Sequence, residues 1–384
     1  MVKVWVKSTA YIFFRPNIPL NTASSVSYAT NSPTITREEN MTAEIKTGPK
    51  TDVTFEQKLQ FMLQPAAYPD KSQHITTVET HMSWVFLTDS YAYKLKKPVR
   101  YDFLDFSSIE ARHTDSAEEI RLNARLAPHI YLGICPLTMD TAGYLKIDGD
   151  GEVVDWLVKM RRLPIDHMLD HTIRQGTVDP ADVKRAAMML AKFYQTSPPA
   201  ELSESGYKER LEKNITDNLQ ELIDSRYQLP DATVRKINAA QFAFLRQESE
   251  LLSQRVRAGK IIEAHGDLRP EHIWLGKEPV IIDCLEFKRE FRILDIADEL
   301  AYLAMECEHM GAPAVGQIFI ETYGEVTKDK PPDKLLHFYK SYRATLRAKI
   351  SIWHIKDSKV SNLSKWFSLA REYLRLAEDY TRGF

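Results

Sequence analysis

Hydrophobic and polar positions along the chain fall into two regimes, short alternating runs first and longer helical stripes afterwards. A short helix is expected from about Phe55. Val85-Phe86-Leu87, then Thr88-Asp89-Ser90, then Tyr91-Ala92-Tyr93-Lys94-Leu95-Lys96 read as strand, turn and strand. Strand alternation puts Lys94 and Lys96 on one face. Glu119, Leu122, Asn123 and Leu126 recur at helical spacing and predict a helix near residues 116–126, with Glu119 inward and Glu118 toward water. Tyr144-Leu145-Lys146-Ile147, the turn Asp148-Gly149-Asp150-Gly151 and residues 153–160 read as a second hairpin, whose last strand ends before Pro164.

From there on the periods are helical. Val183, Ala186, Ala187, Leu190 and Phe193 mark one amphipathic helix, closed by Ser197-Pro198-Pro199. Residues 207–258 are charged with modest apolar stripes and predict paired helices. Further helices begin at Leu300 and at Phe338, the latter running through Ile352. Trp366, Leu369, Tyr373, Leu376 and Tyr380 form a last stripe, read as core packing. Between these helices lies an apolar run, Val280-Ile281-Ile282, that reads as a buried strand ending on Asp283. No internal repeat is evident.

Composition narrows the class. The chain has 384 residues, 43% of them hydrophobic, enough for two lobes with their own cores. A net charge of −2 without a long basic run gives no argument for a nucleic-acid partner. Cys135, Cys284 and Cys307 form no CxxC pair, which suits a reduced cytoplasm and argues against a disulfide scaffold or structural zinc. Cys284 is read as a small core residue rather than a redox sensor. No apolar run approaches the roughly 20 residues of a membrane helix, so no membrane partner is expected. Ser, Thr, Asn and Pro accumulate between Asn17 and Thr36, so residues 1–50 are expected to be a disordered or loosely attached extension, with Met41 as a candidate initiator.

The chemistry concentrates in His265-Gly266-Asp267-Leu268-Arg269-Pro270-Glu271-His272, followed shortly by Asp283. One carboxylate on a tight loop and a second closing a buried strand suit phosphoryl transfer: one orients the attacking hydroxyl, the other holds a magnesium bridging nucleotide phosphates. Gly266 permits the sharp turn and Pro270 stiffens it. His265 is expected to anchor the loop. No GxxxxGK[ST] sequence occurs, so the chain carries no P-loop of its own.

This layout, with Val280-Ile281-Ile282-Asp283-Cys284-Leu285-Glu286-Phe287 and Leu294-Asp295-Ile296-Ala297-Asp298-Glu299-Leu300-Ala301, resembles the aminoglycoside phosphotransferase family within the protein-kinase-like fold. It also looks like a poorly characterised bacterial branch whose members are often joined to a P-loop ATPase-like domain; such a partner is part of the expectation. The resemblance covers roughly residues 70–355. It implies an α+β, two-lobed fold, with a small antiparallel sheet in an N-lobe (51–163) and a mainly helical C-lobe (164–384). It implies ATP or GTP with Mg²⁺ (or Mn²⁺), and a hydroxyl of a small molecule as acceptor.

The resemblance also implies roles. Asp267 is the catalytic base and Asp283 the metal ligand. Lys94 of Ala92-Tyr93-Lys94 grips phosphates and pairs with Glu119, with Lys96 as the fallback. Backbone near Met160–Leu163 meets the nucleobase. The glycine-free turn Glu79–Ser83 offers Thr80 and Ser83 to phosphate oxygens. Arg269 neutralises phosphate or acceptor charge, Asp295 braces the loop by accepting backbone amides, and Glu286 is a further metal candidate. His272 stands where the family carries a metal-binding Asn. An imidazole is a poorer partner for hard Mg²⁺, so a nucleotide-binding pseudokinase with a regulatory role is the alternative.

Overall fold

The computed structural model describes residues 53–101, 104–355 and 363–384; the expectation for residues 1–50 lies outside them. Helix α1 (Phe55–Met62) opens on a reciprocal cap between Thr54 and Gln57. Strands β1 (Thr76–Glu79), β2 (Ser83–Leu87) and β3 (Tyr91–Lys96) follow, then a short ribbon of β4 (Arg100–Tyr101) and β5 (Leu104–Asp105). After α2 (Ile109–Asn123) come β6 (Tyr131–Met139), β7 (Leu145–Ile147) and β8 (Glu152–Arg161). The main sheet is antiparallel with order β1-β2-β3-β8-β6-β7.

Alternation along β3 sets up everything later. Tyr93 and Leu95 enter the apolar cluster beneath α1, with Phe61, Phe86 and Leu157. Ala92 turns the other way, toward Val85, Met160, Leu163 and Ile282, and period two sends Lys94 and Lys96 to that same inner face. Both lysines are 1% exposed. Helix α2 is tied over that face by Arg112, which forks onto Asp155 of β8 at 2.9 and 2.8 Å, while Lys58 of α1 reaches the same carboxylate at 2.8 Å. Three elements thereby share one buried anion.

The expected hairpin between residues 144–147 and 153–160 does not form. β7 instead folds back on β6, with Leu137 opposite Ile147, and β8 pairs with β6 and β3. β6 itself went unpredicted because Gly133 and Pro136 interrupt it; Gly133 has φ +144° where the register shifts.

The helical part contains α3 (Leu169–Gln175), α4 (Pro180–Thr196), α5 (Glu204–Leu222), α6 (Asp231–Gln247) and α7 (Ser249–Arg257). Short strands β9 (Ile261–Glu263), β10 (Ile273–Trp274), β11 (Val280–Ile281) and β12 (Ile293–Asp295) frame the loop segments, β10 pairing with β11 and β9 with β12. Helices α8 (Ile296–His309), α9 (Pro313–Thr327), α10 (Asp333–Ile355) and α11 (Leu363–Tyr380) complete the chain. α4, α8 and α9 share one core around Leu190, Leu303 and Phe319. Of the last stripe only Tyr373 is fully buried, with Leu369, Leu376 and Tyr380 partly buried beside it; the face turned to Ala344, Ala348 and Ile352 of α10 is centred on Ala370, Tyr373, Leu374 and Ala377. No helix among the described residues is long and apolar enough to cross a membrane.

One buried charge on α10 works against stability. Burial pushes the Lys349 ammonium down to about 8, opposed by Asp217 and Glu221. Lys349→Met is expected to raise stability by roughly 1–3 kcal/mol at neutral pH. The folded group titrates below its ordinary 10.5, so the unfolded chain holds more protons between those values and the penalty fades as pH rises through them. Denaturant midpoints at pH 7 and pH 10.5 check this. A gain equal at both would refute it.

Candidate active site

Gly266 makes the loop possible. Its φ is +88°, and a Cβ there would lie 2.9 Å from Cβ of Arg292. The amides of His265 and Gly266 donate to the Glu299 carboxylate at 3.2 and 2.7 Å, and the Tyr194 hydroxyl donates to it at 2.8 Å. Asp295, expected in that role, does something else: it caps α8 through the Ala297 amide and binds Arg255 and Tyr339. The brace is one helical turn further on, because the N-terminal turn of α8 points its cap inward and Glu299 back at the loop. His265 anchors the loop as expected. Its Nε2 lies 2.8 Å from the Ile282 carbonyl and its Nδ1 accepts from the Asp267 amide at 3.3 Å. Burial holds this imidazole down to about 3, with His272 acting the same way, so it is neutral.

Asp267 is 4% exposed. Tyr302 donates to its Oδ1 at 3.1 Å, and Arg269 reaches Oδ1 and Oδ2, both at 3.1 Å, while also pairing with Glu271. Burial works to raise the Glu271 carboxyl, but Arg269 prevails and carries it down to about 2. His272 then links the two acidic segments. A carbonyl only accepts, so Nδ1–H of His272 donates to the Asp267 backbone oxygen at 2.7 Å. The guanidinium of Arg269 lies 3.4 Å from Nε2. That Nε2 faces Asp283 Oδ2 at 3.7 Å.

Asp283 adopts a left-handed conformation, φ +61°, rarely taken by a residue with a side chain. It is held there from both sides. Its amide donates to the Tyr131 hydroxyl at 3.1 Å, and the next amide, of Cys284, donates to Asn123 Oδ1 at 2.9 Å. Burial pushes the Cys284 thiol up to about 12, consistent with a core role. Facing these acids, Lys94 Nζ lies 2.6 Å from Glu119 and 3.3 Å from Asp283. Lys96 Nζ lies 2.6 Å from the other oxygen of Glu119, 2.9 Å from Glu286 and 2.7 Å from Asp115.

No protein-family model matches the chain. It is 32% identical over 284 residues to uncharacterized proteins of Mycobacterium tuberculosis and Mycobacterium bovis, a match covering 73% of this chain and 55% of each relative. The chain thus spans about half the length of the curated relatives it matches. Among solved structures, the GDP complex of a point mutant of aminoglycoside 2′-phosphotransferase-IIIa superposes with a TM-score of 0.50 at 16% identity, covering 85% of this chain and 98% of that one. This chain has an aminoglycoside phosphotransferase-like fold.

Within the aminoglycoside phosphotransferase-like fold, Lys94, Glu119, Asp267, Arg269, His272, Asp283 and Glu286 come together in one buried cluster. Met160 sits at the end of β8, opposite Ala92, in the apolar layer between sheet and helices. Thr80 and Ser83 serve their own turn: the hydroxyls lie 2.9 Å apart, and the Thr80 oxygen accepts the Ser83 amide at 2.9 Å. Ser83 is buried, with its hydroxyl on Thr80. Sequence reasoning missed Asp115, Tyr131, Glu299 and Tyr302. Glu299 left a trace, as the second acid of Asp298-Glu299 at a helix start; the others left none.

Proposed function

We propose that the chain is a phosphotransferase moving the γ-phosphoryl of ATP or GTP to a hydroxyl of a small molecule. The observation that carries this is one buried run of contacts, from the Asp267 backbone oxygen through His272 to Asp283, Lys94 and Glu119, beside which Arg269 and Tyr302 hold the Asp267 carboxylate. Asp267 aligns the acceptor hydroxyl and takes its proton. Lys94, positioned by Glu119, grips the phosphate oxygens. The layer of Val85, Ala92, Met160, Leu163 and Ile282 receives the base. The donor set fits a divalent ion: Asp283 supplies a carboxylate, and Nε2 of His272 supplies a lone pair beside it. An imidazole donor shifts preference from Mg²⁺ toward Mn²⁺. Once bound, that ion neutralises charge developing between the phosphates.

A regulatory, non-catalytic reading has its own support in Arg269, which holds both oxygens of Asp267. The reading as a kinase places the acceptor hydroxyl in competition with Arg269 for this carboxylate. We further infer an N-lobe over 51–163 and a C-lobe over 164–384, a cytoplasmic setting, and a P-loop ATPase-like partner accounting for the relatives' remaining length. Thermal-shift titration with ATP and GTP in Mg²⁺ or Mn²⁺, followed by isotope transfer from the preferred nucleotide to a panel of hydroxyl acceptors, tests the proposal. Metal-dependent binding and transfer are expected. Binding without turnover under either metal would favour the regulatory reading, and absence of binding would dismiss both.

A further inference from the structure

Asp115, Glu119 and Glu286 bring three carboxylate oxygens within 4.8 Å of one another. Such a trio has the form of a cation cage, and the cage already has an occupant. Lys96 Nζ stands 2.7, 2.6 and 2.9 Å from the three, with the Phe106 ring 5.4 Å away. Lys94 uses the remaining oxygen of Glu119. A lysine kept only for solubility lies in water. Lys96 is 1% exposed, and an ammonium buried that deeply is tolerated only where carboxylates replace its hydration.

We propose that Lys96 is a positioning residue, a built-in cation standing where a second divalent ion would otherwise collect. The inference rests on the phosphotransferase reading of the same cleft. Charge supports it. Lys94 and Lys96 face the four carboxylates Asp115, Glu119, Asp283 and Glu286, which leaves −2 to be neutralised, the charge of one divalent ion. Geometry supports it as well. Lys96 occupies Asp115, Glu286 and one oxygen of Glu119, whose other oxygen lies on Lys94, itself 3.3 Å from Asp283, so these acids are withheld from an ion beside Asp283. The remaining ion is confined to Asp283 and His272, and Glu119 is pinned from two sides for its work on Lys94.

Counting Mn²⁺ by calorimetry and by electron paramagnetic resonance, without nucleotide, tests this on the full chain. Lys96→Met is expected to bind one Mn²⁺ more than the wild type and to gain a Mn²⁺-dependent rise in melting temperature of several degrees. Adding Asp115→Asn to Lys96→Met should remove the extra ion. A folded Lys96→Met chain with the wild-type count and no such rise overturns the proposal. Should that variant fail to fold, the wild type decides through a second measurement. With a non-hydrolysable ATP analogue it is expected to saturate at one Mn²⁺ per chain, and two would overturn the proposal. Failure of the analogue to bind would tell against the phosphotransferase reading, whereas the nucleotide-free count reads the cage alone.

Discussion

Asp267→Asn is expected to lower phosphoryl transfer by about 10³-fold while leaving nucleotide affinity within a factor of about three, since a general base contributes roughly 10²–10⁴ to rate and little to ground-state binding. The amide keeps an acceptor oxygen for the Tyr302 hydroxyl but turns donors toward Arg269, whose guanidinium can only donate. A stability loss of roughly 1–3 kcal/mol is therefore expected alongside the rate effect. Asp283→Ala should show the opposite division, losing metal-dependent nucleotide affinity because its carboxylate lies beside Nε2 of His272 and Lys94. Single-turnover transfer and nucleotide titration on both variants separate the two roles. Transfer by Asp267→Asn within tenfold of the wild type would remove Asp267 from the chemistry.

The helical stripes were legible where apolar residues dominate the buried face, as in α4; α8 and α10 were recognised but start at Ile296 and Asp333 rather than at Leu300 and Phe338, and they also bury Asp298, Glu299, Arg343 and Lys349. They failed in α2, which begins at Ile109 rather than near Ser116. The reason is physical. Its inward face consists of Arg112, Ser116, Glu119 and Asn123 beside Leu122, so polar groups that are satisfied inside the fold hide the period. β6 was lost to Gly133 and Pro136 for the same kind of reason, a local signal overridden by pairing on a neighbour. The acids of the site were readable because a loop and a strand end impose spacing. Their partners were not: Asp115, Tyr131 and Tyr302 come from elements whose approach is decided by packing. Lys94 and Lys96 illustrate the boundary well. Alternation put both on one face, but only the fold reveals that they share Glu119 rather than compete for a single role.

Glu299→Ala is expected to be the most damaging single change outside the buried cluster of charged groups, costing about 3–5 kcal/mol and, on the phosphotransferase reading, most of the activity. Three buried donors depend on this side chain: the amides of His265 and Gly266 and the Tyr194 hydroxyl. Burial raises the Glu299 carboxyl above the usual range, and those three donors pull against it. Truncation leaves the donors buried without their acceptor, each at about 1–3 kcal/mol. Gly266 meanwhile sits at a positive φ that has no tolerance for drift, with Arg292 directly above it. The loop then loses the restraint that aims Asp267. Glu299→Gln keeps an oxygen but presents an amide to backbone donors, so an intermediate loss is expected. Asp295→Asn provides the contrast. It weakens the α8 cap and the Arg255 pair but leaves the loop amides bonded, so stability should fall while the rate per folded molecule holds. Chemical denaturation with transfer rates normalised to folded protein distinguishes these outcomes. If Asp295→Asn abolished transfer in folded protein and Glu299→Ala did not, the brace would have been assigned to the wrong turn of the helix.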